Sequence, residues 1–184
     1  MNISKQARDC LNDSQVESLR VINRLAVHCG TRASLVGGTV RDLILGRNIR
    51  DLDVTVECDP SVLFEGLPRG YDVDVIKRSQ FKTLKVRVRK IVIDVAMSRS
   101  ERYNTEGALP MVYPSTLEED LSRRDITINA IAMSLSENSW GTIIDLHNGV
   151  SDVKSRIIRV LHNKSFEDDP TRIFRAIKYA HRLG

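Results

Sequence analysis

Leu35-Val36-Gly37-Gly38-Thr39-Val40-Arg41-Asp42-Leu43-Ile44-Leu45-Gly46, followed shortly by Asp51-Leu52-Asp53-Val54-Thr55-Val56, is the stretch whose reading settles the fold. An apolar run ends in two glycines, and a short apolar-periodic segment over 40–45 closes on Gly46. That is a strand, a tight turn and a short helix. Residues 51–56 alternate polar and apolar, the pattern of a second strand. Alternation puts Asp51 and Asp53 on one face and turns Leu52 and Val54 to the core. Two carboxylates that close repel each other unless a cation lies between them. Their hard oxygens suit Mg²⁺, which keeps several waters and shares its shell with substrate phosphates. The plainer alternative is a strand edge with two solvated aspartates. Gly37 and Gly38 let the backbone approach a phosphate at a helix N-terminus. Their spacing fits neither the dinucleotide-binding fingerprint nor the P-loop.

Upstream, Ser14-Gln15-Val16-Glu17 reads as a capping box. Val16, Leu19, Ile22 and Leu25 then form one helical face that ends at Gly30. Downstream, Asp59-Pro60 predicts an N-cap and first turn for a helix ending near Leu67. Residues 73–76 and 83–97 are rich in β-branched side chains. Leu84, Val86 and Val88 alternate with Lys85, Arg87 and Arg89, so one face of that strand is wet. Arg89-Lys90 is the turn into a more buried strand over 91–97. Asp94 sits in this apolar strand, where a charge needs a metal or an ion-pair partner. Asp51, Asp53 and Asp94 on neighbouring strands can hold two cations for in-line phosphoryl transfer; a salt bridge is the plain alternative for Asp94.

The polar stretch 98–114 reads as a long mobile loop. Ser115-Thr116-Leu117-Glu118 is a second capping box, predicting a helix to about Arg124. Residues 130–135 and 142–146 form a hairpin. A last amphipathic helix starts near Pro170, with Ile173, Phe174, Ile177 and Ala180 as its apolar stripe. Irregular alternation with interspersed hairpins predicts an α+β fold: a mixed sheet with helices mainly on one face, not a doubly wound parallel sheet.

The 184 residues are 41% hydrophobic and 28% charged, as in ordinary globular proteins. No apolar run approaches the ~20 residues of a membrane span, and residues 1–5 lead into a polar stretch that does not read as the apolar core of a signal peptide. Cys10, Cys29 and Cys58 form no metal or disulfide pattern, which predicts buried thiols in the reducing cytoplasm. The net charge of +4 is compatible with a polyanionic partner.

The run from Leu35 to Gly46 followed by Asp51-Leu52-Asp53 resembles the signature of class II tRNA nucleotidyltransferases and bacterial poly(A) polymerases, within the polymerase-β-like superfamily. Arg123-Arg124-Asp125-Ile126-Thr127-Ile128-Asn129-Ala130 resembles the family's second motif. Asp145, Gly149, Asp152 and Arg159 resemble its third, and Asp168-Asp169-Pro170-Thr171-Arg172 its fourth, where glutamate is usual at the first acid. The resemblance implies a palm-like catalytic head over 1–160 and the start of a helical neck over 161–184, in a chain expected to be a piece of a longer protein. It implies Mg²⁺ on Asp51 and Asp53, with Asp94 as third carboxylate. Gly37, Gly38 and Arg41 would seat the triphosphate. Arg124, Asp125 and Asn129 would contact or brace the nucleotide. Asp169 and Arg172 would read the base edge of CTP or ATP, though Asp169-Pro170 also reads as an N-cap. The partner implied is the 3′ end of tRNA, extended with CMP or AMP. CCA, CC, A and poly(A) addition stay open, as does a catalytically silent RNA- or nucleotide-binding module, which four intact aspartates disfavour. The segment Gly107-Ala108-Leu109-Pro110 falls in the family's flexible loop.

Overall fold

The computed structural model describes residues 1–65, 67, 71–79, 82–102 and 111–183. Helices α1 (Ser4–Cys10) and α2 (Asp13–His28) open the chain. The N-cap of α2 is Asn12, two residues before the expected Ser14. Asn12 and Gln15 share the same box spacing and complete it reciprocally, at 2.9 and 3.0 Å. Gln15 is buried and also donates to the Ile49 carbonyl, which fixes the choice.

Strand β1 (Ala33–Val36) leads through the glycine turn into α3 (Gly38–Ile44), and β2 (Leu52–Val56) follows. Asp51 stands just before β2. One turn of helix, α4 (Ser61–Phe64), is shorter than expected, and Asp59 Oδ1 accepts the Ser61 N–H at its start. Next come β3 (Val73–Arg78), β4 (Thr83–Val88) and β5 (Ile91–Met97), with Arg89 turning at φ 55° as the chain reverses.

The polar stretch 98–114 differs from the expected loop. Its ends pair as an antiparallel ribbon, β6 (Arg99–Arg102) with β7 (Met111–Pro114), while Gly107-Ala108-Leu109-Pro110 lies outside the described residues. Helix α5 (Leu117–Ser122) is capped by Thr116, not Ser115, whose hydroxyl bonds the Glu119 carboxylate instead. The predicted hairpin is β8 (Ile131–Ser134) with β9 (Ile143–Asp145). Helices α6 (Gly149–Ser155), α7 (Ser165–Asp168) and α8 (Thr171–Leu183) end the chain.

Seven strands form one sheet in the order β3-β4-β5-β2-β1-β8-β9. Its neighbours are antiparallel except β2 and β5, so the sheet is mixed and the fold α+β. One face carries the main core. Leu35, Leu52, Val54, Leu84, Val86, Ile93 and Val95 meet Leu19, Ile22 and Leu25 of α2 and Val40 and Leu43 of α3. On the other face Val36 and Ala132 pack under Leu117 and Leu121 of α5. That cover reaches β1 and β8. Farther along the same face, Lys85, Arg87 and Val92 of β4 and β5 lie partly or largely open.

Helix α8 leaves its apolar stripe open. Ile173, Phe174 and Ile177 are 44%, 76% and 63% exposed, Ala180 is exposed too, and buried Arg172 leads the inner face with half-buried Ala176 and Tyr179. Polar anchoring sets this face. Arg172 donates to Ser165 Oγ (2.8 Å) and to the Arg123 carbonyl (3.2 Å), and Tyr179 lies against Arg41. The three cysteines are free and half-buried, not fully buried as expected. No helix among the described residues is long and apolar enough to cross a membrane.

Candidate nucleotide and metal site

Parallel pairing of β2 with β5 puts Asp53 directly beside Asp94. Both line a cleft of about 660 Å³, whose walls also include Gly37, Gly38, Arg124 and Asn129. Burial, and then the Asp94 charge, push the Asp53 carboxyl above its ordinary value. Asp51 adds to this, while Arg124 and Lys85 oppose it. Asp94 Oδ2 accepts from Lys85 Nζ at 2.9 Å, the salt-bridge alternative realised with lysine. Asp51 is exposed, close enough for its charge to reach Asp53 but not part of the cleft lining.

Among the described residues no three acidic, His or Cys side chains stand close enough to enclose a metal. The donor set still fits a hard divalent cation. Mg²⁺ is characteristically held by one or two carboxylates plus water and substrate phosphates, not by an all-protein cage. A cation between Asp53 and Asp94 would offset the burial and the Asp94 charge that raise Asp53.

Thr39 ties this strand to the glycine turn. Its hydroxyl donates to the Asp51 carbonyl (3.1 Å) and accepts from the Asp53 N–H (3.2 Å). Gly37 caps α3 at φ 65°, and a Cβ there would lie 2.8 Å from Arg124 Nη1. Both facts demand glycine. The Arg124 guanidinium therefore rests against the turn, donating to the Asn129 carbonyl at 3.3 Å.

Asp120, only 1% exposed, holds Arg124 at 2.8 Å and Arg123 at 2.7 Å. It also accepts the Arg99 N–H, while Arg123 reaches Glu101 at 2.7 Å. Burial alone would raise the Asp120 carboxyl; Arg124 and Arg123 outweigh it and hold it below the usual carboxylate value. The base of the β6–β7 ribbon is thus bonded to the arginines of the cleft.

Arg41 lies beneath the cleft, not in it. Its buried guanidinium donates to Asn129 Oδ1 (2.7 Å), pairs with Asp42 and lies 5.2 Å from the Tyr179 ring. Here it braces Asn129 and backs Gly38. Asp125 is buried and pairs with Arg175 Nε at 2.6 Å. The third-motif residues form scaffold below. Asp145 accepts the Gly149 and Val150 N–H groups, and Asp152 holds Thr127 Oγ1 (2.6 Å) and Arg159 (3.0 Å).

Asp169 and Arg172 both line the cleft, with Asp169 Oδ2 3.9 Å from Arg172 Nε. Asp169 accepts from the Thr171 N–H and hydroxyl, so the capping role read from Asp169-Pro170 is real. The sequence reading did not single out Thr39, Lys85, Asp120 or Arg175. Thr39 and Asp120 sit inside or beside quoted motifs. Lys85 was legible as the wet-face residue of the strand beside Asp94, and Arg175 as one turn beyond Arg172.

Comparison with known proteins gives a consistent result. Residues 33–159 match the model of the poly(A) polymerase head domain. The A-adding tRNA nucleotidyltransferase of Aquifex aeolicus is 44% identical over 153 residues, covering 83% of this chain and 19% of that protein. The apo form II structure of a CCA-adding enzyme superposes with a TM-score of 0.91 at 35% identity, covering 99% of this chain and 43% of that one. The Thermotoga maritima CCA-adding enzyme complexed with tRNA_CCA gives 0.80 at 33% identity, covering 99% and 41%. The chain thus spans about a fifth of the Aquifex relative and about two fifths of each of these structures.

Proposed function

The chain belongs to the poly(A) polymerase head-domain family, and on that premise we propose that it is the catalytic head of a template-independent RNA nucleotidyltransferase. It joins CMP or AMP, from CTP or ATP, to the 3′ end of tRNA in the cytoplasm. Residues 1–160 are the head in this reading, and 161–184 begin a helical neck. The observation that carries it is Asp53 beside Asp94 at a cleft whose other walls are the Gly37–Gly38 turn and Arg124.

The oxygen of the RNA 3′-hydroxyl attacks the α-phosphorus of the nucleotide, and its proton passes to solvent water. The α–β anhydride bond breaks, and pyrophosphate leaves. The family uses divalent metal. Mg²⁺ held by Asp51 and Asp53, with Asp94 as third carboxylate, would acidify that hydroxyl and neutralise the leaving pyrophosphate. Arg124, fixed by Asp120 and resting on Gly37, places positive charge and donors where the triphosphate lies against the turn. Asn129 and Asp125 brace or contact the sugar, and Arg41 holds Asn129 from below. Asp169 and Arg172 supply a carboxylate and a guanidinium at the base-reading position.

The name of the 44% identical Aquifex relative favours A addition as the specific variant. The test is to extend tRNAs ending in the discriminator base, -C or -CC with each nucleotide separately. Incorporation of AMP or CMP that is abolished by Asp51→Ala and by Asp53→Ala supports the reading. Transfer within threefold of the parent in either variant overturns it.

A further inference from the structure

Residues 71–93 carry seven basic side chains and two acidic ones, a surplus of five against +4 for the whole chain. This wing of the sheet, β3, β4 and the start of β5, is thus locally basic. On the face away from α2, register places Asp53, Asp94, Lys85 and Lys77 in a row across β2, β5, β4 and β3. Thr83 and Ala96 line the cleft and are themselves paired two residues along from Lys85 and Asp94, so cleft and wing are continuous.

We propose that this open face is the track of the single-stranded RNA 3′ end, with Lys77 and Lys85 as its phosphate contacts. The inference rests on the nucleotidyl-transfer reading above and adds where the RNA lies. Lys77 and Lys85 stand directly opposite each other, an arrangement that is unfavourable for like charges. Asp94 compensates Lys85, while Lys77 is exposed and has no ion pair among the described residues. A phosphate bridging the two lysines removes the cost. Val92, 43% exposed on the same face, offers apolar surface to a base or sugar.

Direction follows from the chemistry. In-line displacement needs the attacking oxygen and the leaving pyrophosphate on opposite sides of the α-phosphorus. The glycine turn and Arg124 hold the triphosphate on the β1 side of Asp53. The attacking strand then comes from the other side, across β5, β4 and β3. The track spans three strand spacings, about 14 Å.

The test is an amide-resolved NMR titration of the chain with a short single-stranded RNA ending in -CC, at several salt concentrations, with a parallel titration by Mg²⁺ and CTP or ATP. RNA should shift the Lys77 and Lys85 amides. Lys77→Ala should weaken RNA binding about fivefold and reduce the slope of log K against log salt by about 0.7, the value per phosphate on a single strand. Nucleotide binding and the fold should not change, and Arg20→Ala on α2 should leave RNA binding unaltered. RNA shifts confined to other elements, an unchanged slope in Lys77→Ala, or no RNA binding at all would each overturn the track. Nucleotide shifts at Gly37 and Gly38 report separately on whether the nucleotidyl-transfer reading survives.

Discussion

Replacing Asp120 with alanine should be among the most destabilising changes outside the apolar core. The carboxylate is 1% exposed and accepts four hydrogen bonds from two guanidiniums, Arg123 at 2.7 and 3.0 Å and Arg124 at 2.8 and 3.3 Å, plus the Arg99 N–H. Breaking a buried pair from one side costs about 3–5 kcal/mol. Arg123 and Arg124 are 22% and 18% exposed and keep Glu101 and the Asn129 carbonyl, which sets the loss near the lower end, about 3 kcal/mol. For a chain of this length that is a fall in Tm of roughly 6–12 °C. The assay is urea denaturation at neutral and acid pH. The folded Asp120 value is depressed, so its contribution is full above the ordinary carboxylate pKa of about 3.9 and fades as pH falls through the lower folded value. A loss under about 1 kcal/mol at neutral pH, or a loss that does not shrink in acid, would refute the reasoning.

The folded Asp53 value is raised, so the unfavourable contribution of its charge is absent below the ordinary carboxylate pKa and grows as pH rises through the folded value. Asp53→Asn should therefore raise the metal-free Tm at neutral pH while abolishing transfer, and added Mg²⁺ should narrow the stability gap; a lower Tm in the variant would contradict this. Gly37→Ala imposes a side chain at φ 65° against Arg124 and should destabilise by about 1–3 kcal/mol while weakening triphosphate binding, checked by denaturation and calorimetry. Arg172→Lys keeps the charge but loses the planar fork, so discrimination between CTP and ATP should relax in single-nucleotide extension assays.

The centre of the fold was legible because its signals are local. Gly37 and Gly38 between apolar segments mark β1, the turn and α3, and alternation around Lys85 and Arg87 marks β4. What escaped depends on distant partners. A strand carrying Asp94 next to that of Asp53 was expected, but the parallel sense and register of the β2–β5 pairing leave no trace in either strand alone. Neither does the closing of 98–114 at its ends, since Arg99 and Glu101 are fixed by bonds to Asp120 and Arg123 across the fold. Helix α1 has a weak apolar pattern and is secured by the Ile3 N–H on the Gly141 carbonyl. The apolar stripe of α8 faces outward while Arg172 and Tyr179 anchor the opposite side.

The candidate site shows the same division. Asp53 follows from strand alternation and lines the cleft with Asp169 and Arg172, while Asp51 stands just before β2 and outside that lining. That Arg41 lies below the cleft, and that Asp125 is paired with Arg175, follow from α8 packing over the site. One turn of periodicity cannot specify that contact.

Crystals grown with Mg²⁺ and CTP measure the centre of the account directly. The expected result is a cation about 2.0–2.1 Å from oxygens of Asp53 and Asp51, with Asp94 beside it and the triphosphate against Gly37, Gly38 and Arg124. A cation bound elsewhere, or a triphosphate lying away from the glycine turn, would contradict it.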